Sequence, residues 1–366
     1  MLGMLLFLVS SFGADLTVDM LDVGQGDAIL VRTEGFAALI DAGPRDADTE
    51  AQLKALGVTH LDVVVATHPH ADHIGRMPQV LQTFSVGQYV DNGMSHTTKN
   101  YERLMAAVEA TEVPHRKATN GMTFPFGDEA VFTVLFPGET LLRGTRSDLN
   151  SNSVVLRLDH GESSFLFTGD AEAPTESHLL RSQLGDIDVL KVAHHGSGHS
   201  STLPFLETLR PQAALISCGE DNRYHHPYPQ ALKRLRSVGS LIYRTDLSGN
   251  IRALSDGNKI EIFEGSIPEL DAVHIVPWPD PEPKTGPVRA PRSDPDGAEV
   301  PPSSPARRLS RRAYFAELDA TGVELDLTSR RALWRAYRKA WKLAHRMERQ
   351  ARKSASADFV KEDSEG

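Results

Sequence analysis

The segment Thr67-His68-Pro69-His70-Ala71-Asp72-His73 places three imidazoles and a carboxylate within six residues, directly after the apolar run at residues 61–66. Val63-Val64-Val65 is β-branched and stops where these side chains begin, so the run reads as a buried strand that delivers a short, rigid loop. Strand-end loops are where an open sheet presents chemistry. Imidazole and carboxylate donors suit zinc, manganese or iron, and the lack of thiolates argues against a closed structural zinc site. A histidine-rich surface loop that binds nothing is the bland alternative, and the rest of the sequence weighs against it.

Two further apolar runs end in the same residue types. Phe165-Leu166-Phe167-Thr168-Gly169-Asp170 reads as strand, turn, acid, and Val189-Leu190-Lys191-Val192-Ala193-His194-His195-Gly196-Ser197 as a strand followed by two imidazoles. Three such strand ends can converge on one rim and surround two divalent ions, with Asp170 between them. A metal pair of that kind polarises a phosphoryl or carbonyl group and supplies hydroxide at neutral pH.

These motifs, in this order, resemble the metallo-β-lactamase superfamily, with Leu39-Ile40-Asp41-Ala42-Gly43 in the place of its first motif. Asp22-Val23-Gly24-Gln25-Gly26-Asp27-Ala28, the His194-His195-Gly196-Ser197 run and Asn222-Arg223-Tyr224-His225-His226-Pro227 narrow the likeness to the soluble hydrolase domain of ComEC-type competence proteins. The likeness covers residues 15–263. It implies that His68, His70 and Asp170 hold one ion and that Asp72, His73, Asp170 and His194 hold another, zinc or manganese, with Asp41 buttressing the histidine loop. The superfamily pattern has one more histidine before Gly169-Asp170. His96, His115 and His160 do not sit in a matching context, so water or an amide oxygen is expected to complete the first ion.

The remaining polar residues have more than one reading. His195 either braces the loop or faces substrate. Ser197, Ser200 and Ser201 precede a helix expected from Thr202, where they could cap it or, with its free amides, contact phosphate. The likeness puts Asn222 at the substrate and His226 at the rim, where a protonated imidazole can neutralise a phosphate or protonate a leaving oxygen. Asp27 is either structural or a support behind the ligands.

Alternating patterns predict strands over residues 16–23, 28–32, 36–41, 86–91, 131–136, 153–159, 163–167, 213–217, 241–243 and 251–254, besides those before the ligand loops. Helices are predicted over 48–56, 74–84, 101–112, 173–182, 203–209 and 230–238. Each half then supplies a sheet and outer helices, which is a four-layer αββα sandwich over residues 15–265.

The ends differ from this domain. Residues 1–14 hold a short apolar core followed by small residues, too short to cross a bilayer; they resemble a leader for export to the periplasm or beyond, the alternative being a buried leading strand of a cytoplasmic protein. Residues 266–305 are proline-rich and read as an extended linker. Residues 306–353 carry fourteen Arg or Lys against five Asp or Glu, although the whole chain has a net charge of -10. Leu333, Trp334, Tyr337, Trp341 and Ala344 share one helical face there, so this basic amphipathic tail suits nucleic acid, an anionic membrane surface or its own domain. Residues 354–366 are expected to be disordered. The single Cys218, in an apolar run, is expected to be a buried thiol and excludes an intramolecular disulfide.

The expected activity is hydrolysis of a phosphodiester in single- or double-stranded DNA by a metal-dependent nuclease. Hydrolysis of a small ester, lactone or phosphocholine group is the second enzymatic reading, and a non-catalytic DNA-binding module is the third. No membrane-spanning channel segment is expected, so transport of DNA by this chain itself is not.

Overall fold

The computed structural model describes residues 16–126, 130–182 and 184–266. The expected leader, the linker beyond Ser266, the basic tail and the end segment lie outside them.

The first sheet contains β1 (Leu16–Met20), β2 (Ile29–Thr33), β3 (Phe36–Ile40), β4 (His60–Val65), β5 (Ser85–Asp91) and β6 (His115–Lys117). The second contains β7 (Thr123–Phe126), β8 (Ala130–Phe136), β9 (Val155–His160), β10 (Ser163–Phe167), β11 (Val189–Lys191), β12 (Ala213–Ile216) and β13 (Leu241–Arg244). The chain then returns to the first sheet with β14 (Asn250–Ser255) and β15 (Ile260–Gly265). The orders are β15-β14-β1-β2-β3-β4-β5-β6 and β13-β12-β11-β10-β9-β8-β7. In each sheet an antiparallel part gives way to a parallel one, running β3 to β6 in the first and β10 to β13 in the second.

Helices lie between the strands: α1 (Thr49–Ala55), α2 (Ala71–Ile74), α3 (Met77–Thr83), α4 (Lys99–Ala110), α5 (Asp148–Ser151), α6 (Ala173–Leu179), α7 (Leu203–Leu209), α8 (Pro229–Ser237) and α9 (Thr245–Ser248). Three apolar clusters account for the layers. The central one joins Val18, Val31 and Val63 of the first sheet to Leu156, Phe165 and Leu215 of the second. A second packs Leu30 and Val64 against Leu53, Val80 and Leu104 of α1, α3 and α4. The third packs Leu166 and Leu190 against Leu179, Leu206 and Leu235 of α6, α7 and α8. The result is the αββα sandwich, with strands buried on both faces, as the unbroken apolar runs required.

Some local expectations change. The helix expected over residues 74–84 breaks into α2 and α3 at Gly75, where a Cβ would lie 2.4 Å from the Ala71 carbonyl and 2.4 Å from the Arg45 nitrogen. The strand β6 went unread because it is three residues long and all three are exposed, so it carries no apolar pattern. The parallel strands end on one side of each sheet, and those ends carry the polar loops. No described helix is long and apolar enough to cross a membrane.

Candidate metal centre

The loop after β4 is fixed by the end of β3. Asp41 accepts the Thr67 N–H on Oδ1 at 2.8 Å and the Thr67 hydroxyl on Oδ2 at 2.7 Å, and Oδ2 also lies 2.7 Å from His73 Nδ1. That bond turns His73 Nε2 away from Asp41, to 3.2 Å from Asp170 Oδ1. His68 Nε2 lies 2.9 Å from His70 Nδ1 and 3.7 Å from Asp170 Oδ2. Asp170 is presented by Gly169 at φ +50°, where a Cβ would stand 2.9 Å from Thr67 Cβ and 3.0 Å from Ser153 Cβ. A side chain at position 169 would therefore push the two ligand loops apart.

His194 and His195 both adopt left-handed backbone angles, φ 53° and 54°. This turn sends the two imidazoles to different oxygens of Asp170. His194 Nε2 lies 3.5 Å from Oδ2, and His195 Nε2 lies 3.6 Å from Oδ1 and 3.5 Å from Asp72 Oδ2. His194, expected beside Asp72, thus stands with His68, and His195 takes the position beside Asp72. Behind them, Ser217 O accepts from His195 Nδ1 at 2.9 Å, and Asp27 Oδ1 lies 3.3 Å from the same nitrogen. Asp27 also pairs with the buried Lys191 Nζ, which donates to Gly169 O at 3.2 Å.

Burial alone would neutralise these groups, and the carboxylates outweigh it at two of the imidazoles. His73 is buried, yet Asp170, Asp41 and Asp72 hold it well above the usual histidine range. His195 is likewise opposed by burial and pushed up to about 10 by Asp170 and Asp27. Burial would raise Asp170, but His194, His73 and His195 pull it well below the carboxylate range. Asp72 is lowered against its burial by His73 and His195. For His68 burial dominates and His73 adds to it, so this imidazole is neutral. The carboxylates thus make this a place that favours positive charge.

A cleft of about 340 Å³ opens over these groups, lined among others by His70, Asp72, Asn150, Asp170, His194 and His226. His226 is pushed down to about 4 by burial and by the nearby His195 and His194. These surroundings favour its neutral form. Its ring sits 5.5 Å from that of His194.

Ser197, Ser201 and Asn222 do not line the cleft. Ser197 and Ser201 are buried, and Asn222 uses its amide on Gly219 O, His226 O and the His226 N–H. The start of α7 is capped from outside by Glu176, which accepts from Thr202 N–H at 2.9 Å and its hydroxyl at 2.6 Å. Of the three spare histidines, His115 faces Asp91 and His160 faces Ser255, while His96 reaches the cleft, 6.1 Å from the His70 ring. Sequence reasoning missed Gln25, Thr98 and Asn150 in the lining, and Glu172, which lies 3.5 Å from His194 Nδ1. Gln25 lies in the run at residues 22–28 already quoted for the likeness, and Asn150 in the run at residues 148–153 that stands where the further histidine is expected, whereas no short-range pattern marks Thr98 or Glu172.

A profile of the metallo-beta-lactamase superfamily matches residues 21–220. The chain belongs to the metallo-beta-lactamase superfamily. It is 31% identical over 270 residues to ComE operon protein 3 of Bacillus subtilis, covering 68% of this chain and 34% of that protein. It is 32% identical over 252 residues to Recombination protein 2 of Haemophilus influenzae, covering 67% and 29%. Competence protein ComA of Neisseria gonorrhoeae is 32% identical over 240 residues, covering 64% and 32%. The chain therefore spans about a third of the length of these relatives. Among solved structures, the metallo-beta-lactamase fold protein YhfI of Bacillus subtilis aligns with a TM-score of 0.44 at 12% identity, over 63% of this chain and 96% of that one.

The residues present fit the metals of the metallo-beta-lactamase superfamily. His73 Nε2, His195 Nε2 and Asp170 Oδ1 are buried, face one another, and make no hydrogen bond. Buried polar atoms are rarely left that way, and a divalent cation would satisfy all three. Four overlapping groups of His and Asp ligand atoms, drawn from Asp27, Asp41, His68, Asp72, His73, Asp170 and His195, lie within ligand reach of one another. This is the donor set of a metal-dependent hydrolase, consistent with two ions.

Proposed function

We propose that this chain is a metal-dependent phosphodiesterase that cleaves DNA. The observation that carries the reading is the division of Asp170, whose Oδ2 faces His68 and His194 while Oδ1 faces His73 and His195. One carboxylate thereby serves two ligand sets: His68, His70 and His194 on one side, Asp72, His73 and His195 on the other. On the Oδ2 side His194 is a third imidazole beside His68 and His70. Divalent ions held there, zinc or manganese, would neutralise charge on a phosphoryl group and lower the pKa of water.

The remaining work falls to the chain's own residues. Asp41 fixes the orientation of His73, and Ser217 with Asp27 fixes that of His195, so little reorganisation accompanies the reaction. His226, neutral and at the rim, accepts a proton from the attacking water. A bound phosphate would raise its pKa and allow it to return that proton to the leaving oxygen. Relatives named for competence and recombination support DNA as the polymer. The basic tail supports it too, as a surface for phosphates or for an anionic membrane. The leader-like composition of residues 1–14 supports a periplasmic or secreted location.

The 366-residue chain, supplied with Mn²⁺ or Zn²⁺, should hydrolyse single-stranded DNA, duplex DNA or a small chromogenic phosphodiester. Asp170→Ala should abolish that hydrolysis and keep the native circular dichroism spectrum. Turnover retained in Asp170→Ala sinks the reading, as does hydrolysis of lactones or carboxylic esters with none of phosphodiesters.

A further inference from the structure

Between α7 and α8 the chain presents an aromatic ladder beside the metal centre. Tyr224 and His226 stack with ring centroids 5.8 Å apart and planes 24° apart, and Tyr228 follows 5.5 Å from His226 with its plane tilted by 57°, so that it presents a separate ring face. Tyr224 and Tyr228 are 43% and 40% exposed, and Tyr224 and His226 line the cleft. Large exposed rings in a row need a reason, since tyrosine packs well when buried.

The ladder is rigid. Asn222 holds both the N–H and the carbonyl of His226, at 2.9 and 2.6 Å. The Tyr228 N–H donates to Gly196 O at 2.9 Å, and a Cβ on Gly196 would lie 2.5 Å from Pro227 Cβ, so the ladder rests directly on the turn that carries His194 and His195. Rings ordered in advance bind without losing further freedom. At its outer end the Arg223 guanidinium lies 4.8 Å from the Tyr224 ring centre and donates to its hydroxyl at 2.6 Å.

We propose that Arg223, Tyr224, His226 and Tyr228 form a stacking platform for unpaired nucleobases, so that single-stranded nucleic acid is what enters the metal cleft. The proposal rests on the phosphodiesterase reading above and names the form of its substrate. Stacking on aromatic rings needs a free base face, which single strands offer and a duplex hides within its own stack. The planar cation of Arg223 suits both a base and the phosphate next to it. It also argues against a choline cage, because a quaternary ammonium placed over Tyr224 would meet like charge.

The test compares fluorescein-labelled oligomers by anisotropy: a thymidylate 12-mer, an abasic 12-mer with the same backbone, and a 12-base-pair duplex. The full chain is used with its metals as purified, and again in EDTA to exclude cleavage. Any sequence-independent attraction from the basic tail acts on both single-stranded backbones alike and cancels in their ratio. Thymidylate should bind about 5- to 150-fold more tightly than the abasic strand, the range for stacking one base. A Tyr224→Ala/Tyr228→Ala double variant should bring the ratio close to one, and Tyr224→Phe/Tyr228→Phe should preserve it, because the ring and not the hydroxyl is used. A ratio unaffected by the alanines overturns the proposal, as does a loss of duplex affinity in the alanine variant as large as its loss of thymidylate affinity. Saturable phosphocholine binding with no preference for thymidylate overturns it too. If the ratio behaves as expected but no phosphodiester is hydrolysed, the cleavage reading fails and the platform stands.

Discussion

The two glycines of Gly24-Gln25-Gly26 should respond to alanine in different ways. A Cβ on Gly26 would lie 2.2 Å from the Asp72 carbonyl oxygen and 2.8 Å from Pro44 Cδ. Ordinary contact begins near 3.4 Å, so the Asp72 peptide must retreat by about 1 Å. That carbonyl also accepts the Asp27 N–H at 3.2 Å, a bond the retreat would break. Overpacking of this kind costs about 1–3 kcal/mol. In a domain of about 250 residues, each kcal/mol lowers Tm by roughly 2–4 °C, so the expected loss is about 2–12 °C. The same displacement carries Asp72 and His73 away from Asp170 and His195, and a shift of about 1 Å can cost on the order of 10²-fold in rate. Gly24 is the control: φ is +69° and nothing lies within 4 Å of a Cβ there. Gly24→Ala costs about 1–2 kcal/mol of left-handed strain and moves no ligand. Thermal melts of the two variants should therefore be similar, while elemental analysis and phosphodiester turnover separate them. Gly26→Ala that keeps its full metal content and wild-type turnover refutes the reasoning, and so does Gly24→Ala that loses metal as readily.

His226→Ala should lower turnover by roughly 10²–10⁴ if this imidazole moves a proton, with metal content unchanged. Loss of metal would make it a ligand instead, and unaltered turnover would confine it to the aromatic ladder. Cys218 should show itself at alkaline pH: burial and the Asp246 carboxylate push the thiol up to about 12 from 9.0. A raised pKa means that the folded chain holds the proton more tightly, so stability is intact below pH 9.0 and falls as pH climbs toward the folded value. Wild type should lose up to about 1.4 kcal/mol per pH unit over that window relative to Cys218→Ala, as urea melts at stepped pH would reveal. Parallel alkaline limbs in the two proteins would remove the argument.

Much of the centre was legible because its information is local. The triplet Val63-Val64-Val65 declares a buried strand, and four ligand-type residues follow at once. Phe167 and Lys191 end their strands in the same manner. Asp41 could be placed through its Ala-Gly context, since the family likeness supplied the partner that spacing alone does not. The sorting of His194 and His195 was not legible. Successive residues on a strand point to opposite faces, but two successive left-handed residues follow no such rule, and the turn alone decides which oxygen of Asp170 each imidazole meets. Nor could the serines be read from their position before α7. The role they were expected to fill belongs to Glu176, which lies 26 residues before Thr202 and reaches the helix start from α6.

Lys191 shows why such partners stay hidden. In the sequence it interrupts an apolar strand and looks like a fault. In the fold it is 2% exposed and lies between Asp27, from the β1–β2 connection, and the carbonyl that precedes Asp170. Asp27 in turn is lowered, against its burial, chiefly by Lys191 and His195. A lone carboxylate at that depth would be costly, and removing one partner of a buried pair typically costs about 3–5 kcal/mol. The pair joins the two sheets at the point where their ligand loops meet. Its lysine offsets a carboxylate that stands behind His195 and His73. A residue whose meaning depends on which strand lies across from it becomes readable only once both sheets are in place.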